Sequence, residues 1–149
     1  MGELDAMTDK WGRRFFKAGA VELVLLGLVH SLSLFGKKVP GNDSERQLLD
    51  LMTNYKFVLM GSTLTMEGFL RGFSISFLIA MLGIGVLDLV LARERAGLLK
   101  RAALVNAILL AAMTANSLRY FFVVPTSFLA LGLLLFALAW VKLPGEGNT

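Results

Sequence analysis

Four long apolar runs constrain this chain more than any other feature. They lie at about residues 15–36, 69–92, 102–118 and 125–141. A helix that crosses a bilayer needs roughly 20 mainly apolar residues, and each run meets or approaches that length. Lipid offers no partners for open backbone groups, so a spanning chain forms helices or a closed barrel. Barrel strands alternate apolar and polar residues. The run Leu131-Gly132-Leu133-Leu134-Leu135-Phe136-Ala137-Leu138 does not alternate. The expectation is an all-α fold: one domain over residues 1–149, built as a transmembrane four-helix bundle.

Composition agrees with this class. The chain is 56% hydrophobic and 17% charged, whereas a soluble domain has about 25% charged residues. The net charge is +4, which could suggest nucleic acid. The basic residues flank the apolar runs, however, and that placement suits anionic headgroups; no nucleic-acid partner is expected. With no cysteine, disulfides, thiolate metal sites and cysteine nucleophiles are excluded.

Lys and Arg set the expected orientation. Lys10, Arg13, Arg14, Lys17, Arg93, Arg95, Lys100, Arg101 and Lys142 fall on one side. Lys37, Lys38, Arg46, Lys56, Arg71 and Arg119 fall on the other. The positive-inside rule then places both termini in the cytoplasm. Arg13-Arg14-Phe15-Phe16 resembles a twin-arginine export signal. Glu22 interrupts the apolar stretch behind it, no small-x-small cleavage site follows, and three more runs do. An uncleaved first span is the expectation.

The connection from Lys37 to about Met66 is the one long loop. Pro40-Gly41-Asn42-Asp43 reads as a turn and Ser44-Glu45-Arg46-Gln47 as a helix start. Leu48, Leu49, Leu51, Met52, Tyr55, Val58 and Leu59 recur at helical spacing. A short extracytoplasmic amphipathic helix over about 45–60 is expected, lying on the membrane surface. Gly61-Ser62-Thr63 should break it. The last two runs are separated by residues 119–124, a tight turn that makes them an antiparallel hairpin. Pro125 suits the first turn of the last helix, where its missing N–H costs nothing.

Small residues recur at four-residue spacing. Gly68, Gly72, Ser76 and Ala80 mark the second run; Ala103, Ala107, Ala111 and Ala115 mark the third. Such stripes let membrane helices approach closely, so both are expected to face a protein interior. Arg119 continues the second stripe and is expected to point into the bundle.

Polar residues near the outer end form the candidate site: His30, Glu67, Arg71, Asn116, Arg119 and Tyr120. Glu67 and Arg71 stand at i and i+4 and could pair. His30 is the single histidine and could change charge near neutral pH. A carboxylate, an imidazole and two guanidinium groups around one mouth would suit a polar or anionic headgroup. The competing reading is structural: Glu67 neutralises an arginine and His30 bonds nearby backbone. An inner group, Glu22, Asp88 and Asn106, is read as structural, with Arg93 or Arg95 neutralising Asp88. No glycine-rich nucleotide loop, His-Glu-x-x-His helix or Gly-x-Ser-x-Gly elbow occurs. A lone histidine without cysteine makes a zinc site improbable. No metal, cofactor or catalytic residue is assigned, and an enzymatic role ranks last.

Three stretches carry a family resemblance. They are Met52-Thr53-Asn54-Tyr55-Lys56-Phe57-Val58-Leu59-Met60-Gly61-Ser62, then Met66-Glu67-Gly68-Phe69-Leu70-Arg71-Gly72-Phe73-Ser74, and Arg119-Tyr120-Phe121-Phe122-Val123-Val124-Pro125. With His30, these resemble a family of uncharacterised small bacterial membrane proteins with four helices. Gly68 and Leu70 depart from the family's usual aromatic residues. The resemblance implies the topology and draws attention to His30, Glu67, Gly72, Arg119, Tyr120 and Pro125. It implies no reaction.

Three functions follow from these readings. The first is a non-catalytic membrane protein that binds a lipid-like or amphipathic ligand at the outer mouth. The second is a proton-coupled transporter or redox accessory subunit using His30 and Glu67. The third is a structural or assembly partner in a membrane complex, as a homo-oligomer or with another membrane protein.

Overall fold

A computed structural model describes residues 2–36 and 38–145. Lys37, counted above among the outer cations, lies outside the described residues. The chain forms α1 (Gly2–Ser31), a 3-10 turn (Leu32–Leu34), α2 (Asp43–Asn54), β1 (Lys56–Leu59), β2 (Ser62–Thr65), α3 (Met66–Leu91), α4 (Ala96–Tyr120) and α5 (Val123–Lys142). Helices α1, α3, α4 and α5 are each long and apolar enough to cross a membrane. The all-α expectation holds for the bulk of the chain, with one small β hairpin added.

The long helices begin earlier than the apolar runs do. Helix α1 starts at Gly2 instead of near residue 15. At about 1.5 Å per residue it is about 45 Å long, more than a hydrocarbon core is thick. Its polar first turns carry two side-chain pairs, on different faces of the helix. Arg13 Nε meets Asp9 Oδ2 at 3.1 Å across one turn, and Arg14 lies 5.0 Å from the Trp11 ring. Between α4 and α5 only Phe121 and Phe122 are non-helical, a shorter turn than residues 119–124. Pro125 is the third residue of α5, still within the turn whose N–H groups have no helical partner.

The outer connection differs most from expectation. Helix α2 ends at Asn54, not near 60. Asn42 caps it: Glu45 N donates to Asn42 Oδ1 at 2.8 Å, and Gly41 N donates to Glu45 Oε2 at 2.6 Å. This is a variant of the capping box, in which Glu45 reaches back to the N–H one residue before the cap. The segment that was to extend the helix is instead an antiparallel hairpin, with Lys56 opposite Thr65 and Leu59 opposite Ser62. Its two-residue turn has Met60 at φ 49° and Gly61 at φ 83°. Two positive φ values match the twist of a tight hairpin, and Gly61 supplies one at no steric cost.

Helix α1 is the centre of the bundle and packs on α3 and α5; α4 packs on α5. Phe16, Leu23, Leu26, Met81, Leu99, Leu110 and Phe136 form the buried core. Phe16 and Phe136 meet edge to face at 5.5 Å. The described ends of the chain, residues 2 and 145, and the turn at 92–95 share one end, here the terminal end. There Arg13 Nη1 donates to the Glu94 carbonyl at 2.8 Å, and Lys100 Nζ to the Leu143 carbonyl at 2.8 Å. The 3-10 turn, α2 and the hairpin sit at the opposite, loop end. Away from the core the helices present large apolar side chains, including Phe73, Ile79, Val90, Val105 and Ile108.

The small-residue stripes do not pack as expected. Gly68, Gly72, Ser76 and Ala80 are all exposed. The face of α3 that meets α1 is instead Met81, Gly85 and Asp88, with Phe77 and Ile84 beside it. On α4, Ala103 is buried and Ala107 half-buried, but Ala111 and Ala115 are exposed. Arg119 is exposed as well and does not enter the bundle. Four-residue spacing marks a helix face; it does not say whether protein or lipid covers that face.

Candidate functional site

The interior of this apolar bundle holds a graded set of polar side chains. Their heights follow from contacts between helices. Residue 132 is glycine where α5 crosses α1, and a Cβ there would fall 2.5 Å from Glu22 Oε2 and 3.1 Å from Leu110. Glu22, Gly132 and Leu110 are therefore level. On the other side of α1, Gly85 of α3 lies against Val24 and the Ala20 carbonyl. Gly85 is thus at the same height.

Glu22 is the central group of the set. It is 5% exposed, and both carboxyl oxygens are enclosed without a hydrogen-bond partner among the described residues. One turn toward the terminal end, Asn106 Nδ2 of α4 donates to Asp88 Oδ2 of α3 at 2.7 Å. Both side chains are buried. One turn toward the loop end, Thr114 Oγ1 of α4 is also enclosed and unpartnered. Ser117 of α4 and Thr126 of α5 share a hydrogen bond of 2.7 Å above it. His30 stands eight residues beyond Glu22, about 12 Å along the helix axis. Its ring lies 4.7 Å from that of Phe77, and its Nε2 is enclosed without a partner among the described residues.

The physical cost of this arrangement singles out Glu22. A buried polar group left without a partner costs about 1–3 kcal/mol, and an ionised carboxylate costs several. Packing alone would favour an apolar residue there. A carboxyl without a counter-charge is held in such a place with a proton or a cation on it. The Asp88–Asn106 bond replaces the expected neutralisation of Asp88 by Arg93 or Arg95, both of which are exposed.

The outer residues are dispersed. Glu67 Oε1 meets Lys38 Nζ at 3.4 Å, and Thr53 Oγ1 donates to Glu67 Oε2 at 2.8 Å. These bonds take the direct contacts expected of Arg71, which is exposed on the next turn but still acts electrostatically on the carboxylate. Lys38, Thr53 and Glu67 line a cleft of about 430 Å³ with Gly36 and Leu49. Asn116, Arg119 and Tyr120 occupy exposed positions at the loop end of α4. Among the described residues no hydrogen bond or ion pair joins them to His30, Glu67 or Arg71. The structure therefore brings Glu67 to a cleft and leaves His30 half-buried against Phe77, and it leaves the other four on the surface.

Sequence reasoning noticed Glu22, Asp88 and Asn106 but read them as structural. The signal for Glu22 was available: a carboxylate in the middle of an apolar run with no cation on its helical face. Its lack of any partner across the bundle, and the role of Gly132 in making room for it, depend on helix packing and had no local sign.

No family model, curated protein or solved structure matches the chain.

Proposed function

We propose that the chain is a multi-pass protein of the bacterial cytoplasmic membrane, with its terminal end in the cytoplasm, and that it conducts protons across the membrane by binding and releasing them at Glu22. Several features support the membrane placement: four apolar helices of spanning length, apolar outward faces, and nine of the 15 Lys and Arg residues at the terminal end. The observation that carries the proton reading is the enclosed Glu22 carboxyl with no hydrogen-bond partner among the described residues. Ionisable side chains inside membrane helices mark proton and ion pathways by default. Asp88 with Asn106 on one side of Glu22, and Thr114 and His30 on the other, provide polar stations toward each end of the bundle.

The test is proton flux into vesicles containing the purified protein, read by an internal pH dye under an imposed potential. Glu22→Gln removes the proton-binding group with little change of shape and abolishes flux above the protein-free background. Glu67→Gln, at the loop-end cleft, leaves flux intact. Equal flux from wild type and Glu22→Gln rules out this mechanism.

A second reading is favoured by the cleft around Lys38, Thr53 and Glu67. Its polar groups and the Leu49 wall suit the head of an amphipathic ligand, and α2 would hold the chain close to the membrane surface. Native mass spectrometry tests it: bound lipid-like adducts should disappear in Glu67→Gln, and their persistence removes this reading.

A further inference from the structure

The first turns of α1 carry a cationic face that points away from the bundle. Lys10, Arg14 and Lys17 recur there at i, i+4 and i+7, so they line one side of the helix. All three are exposed, and no ion pair among the described residues involves them. The carboxylate beside this face, Asp9, is bound to Arg13 at 3.1 Å. Arg14 lies over the Trp11 ring, its guanidinium carbon 5.0 Å from the ring centre. Stacking uses the flat face of a guanidinium and leaves the N–H donors at its edge open. Trp11 is itself 45% exposed and rests on Phe15, with ring centres 6.0 Å apart. Beyond Lys17 the same side of the helix turns apolar, and Val21, Leu25 and Leu28 are all exposed.

We infer that this face of α1 binds the headgroup of an anionic phospholipid in the leaflet at the terminal end. The Arg14 guanidinium presents paired N–H donors to the phosphodiester oxygens, and Lys10 adds an ammonium one turn away. Helical side chains lean toward the N-terminus of their helix, and a lysine stem lies along apolar surface while its ammonium stays in the polar layer. Lys17 thus delivers its charge to the level of Arg14. Trp11 lies among the headgroups, where an indole ring is favoured, and Val21 and Leu25 run beside an acyl chain. The cationic stripe continues directly into an apolar one on the same side of the same helix. A molecule with an anionic head and an oily tail matches both parts, which an acidic protein segment does not. A zwitterionic lipid adds a cation to the same phosphate, and three positive side chains repel it. Basic residues next to a membrane helix attract anionic lipids through this electrostatic term. The site is independent of Glu22; it rests on the membrane placement proposed above and not on proton conduction.

Trp11 and Trp140 are the two tryptophans of the chain, which gives a direct assay. In a Trp140→Phe background, Trp11 emission reports on this face. Protein in detergent micelles is titrated with phosphatidylglycerol carrying a nitroxide quencher near its glycerol and, separately, with phosphatidylcholine carrying the same group. Quenching should reach its midpoint at clearly lower phosphatidylglycerol concentration. Lys10→Gln, Arg14→Gln and Lys17→Gln should each raise that midpoint about fivefold, at the usual contribution of a basic residue near an anionic surface. The triple variant should respond to the two lipids alike. Arg95→Gln removes the same charge from the same end of the bundle but not from this face, and it should leave the midpoint unchanged. The three cations are exposed and unpaired, so their variants should fold; unchanged helical circular dichroism checks this. Equal quenching by the two lipids before any cation is removed overturns the assignment. So does an unchanged midpoint in the triple variant, or a fivefold rise in Arg95→Gln, which traces the preference to net charge alone. Competition by an equal concentration of inorganic phosphate assigns the face to a free anion instead, and also overturns it. A failure of the membrane placement is visible separately, as protein that stays in solution without detergent.

Discussion

Glu22 and Gly132 form a pair whose meaning lies in their contact. A methyl group at residue 132 would fall 2.5 Å from Glu22 Oε2, so Gly132→Ala must displace the carboxyl. Such overpacking costs about 1–3 kcal/mol. Glu22→Ala frees the space, and the double variant should recover most of that loss. Thermal midpoints of the four proteins in detergent give the coupling; additive effects would place the carboxyl elsewhere. Asn106→Leu tests the neighbouring bond. It leaves Asp88 buried and unpaired, and destabilisation of about 1–3 kcal/mol is expected in the same assay. A change below the measurement error would mean that Asp88 has another partner.

At the level of elements, the outer segment shows what local chemistry decides. Asn42 and Glu45 cap α2 through side-chain bonds. Asn42→Ala should lower the local stability of α2 by about 1 kcal/mol, seen as roughly fivefold faster amide exchange there, while the four long helices keep their protection. Uniform acceleration across the chain would show that α2 unfolds only with the bundle. The four long helices were legible because their apolar runs exceed anything a surface segment carries. The hairpin was not: Phe57, Val58 and Leu59 continue an apolar pattern that fits a helix equally well, and only the Met60-Gly61 turn selects strands. Small-residue spacing failed for a related reason. Gly68, Gly72, Ser76 and Ala80 do share a face, but α3 buries the face of Met81, Gly85 and Asp88 instead.

Across the whole molecule, the proposed orientation makes the two ends chemically distinct. The terminal end carries most of the cations and the Lys10–Arg14–Lys17 face, while the loop end carries α2, the hairpin and the Glu67 cleft. The interior polar set lies between them. Its members come from α1, α3, α4 and α5, so no single run of sequence displays it. The outer residues, by contrast, sit in short motifs that can be read along the chain. The four long helices were legible from the length of the apolar runs; the buried polar contacts were not, because they depend on which side chains meet across the bundle.

Cysteine accessibility tests the central placement most directly, because the natural chain contains no cysteine. Single cysteines at Asn54, Glu94 and Gly145 can be probed in intact cells with a membrane-impermeant maleimide. Labelling at position 54 without lysis, with positions 94 and 145 labelled only after lysis, is the expected result. Labelling of all three from the same side, or recovery of the protein in the soluble fraction, would contradict it.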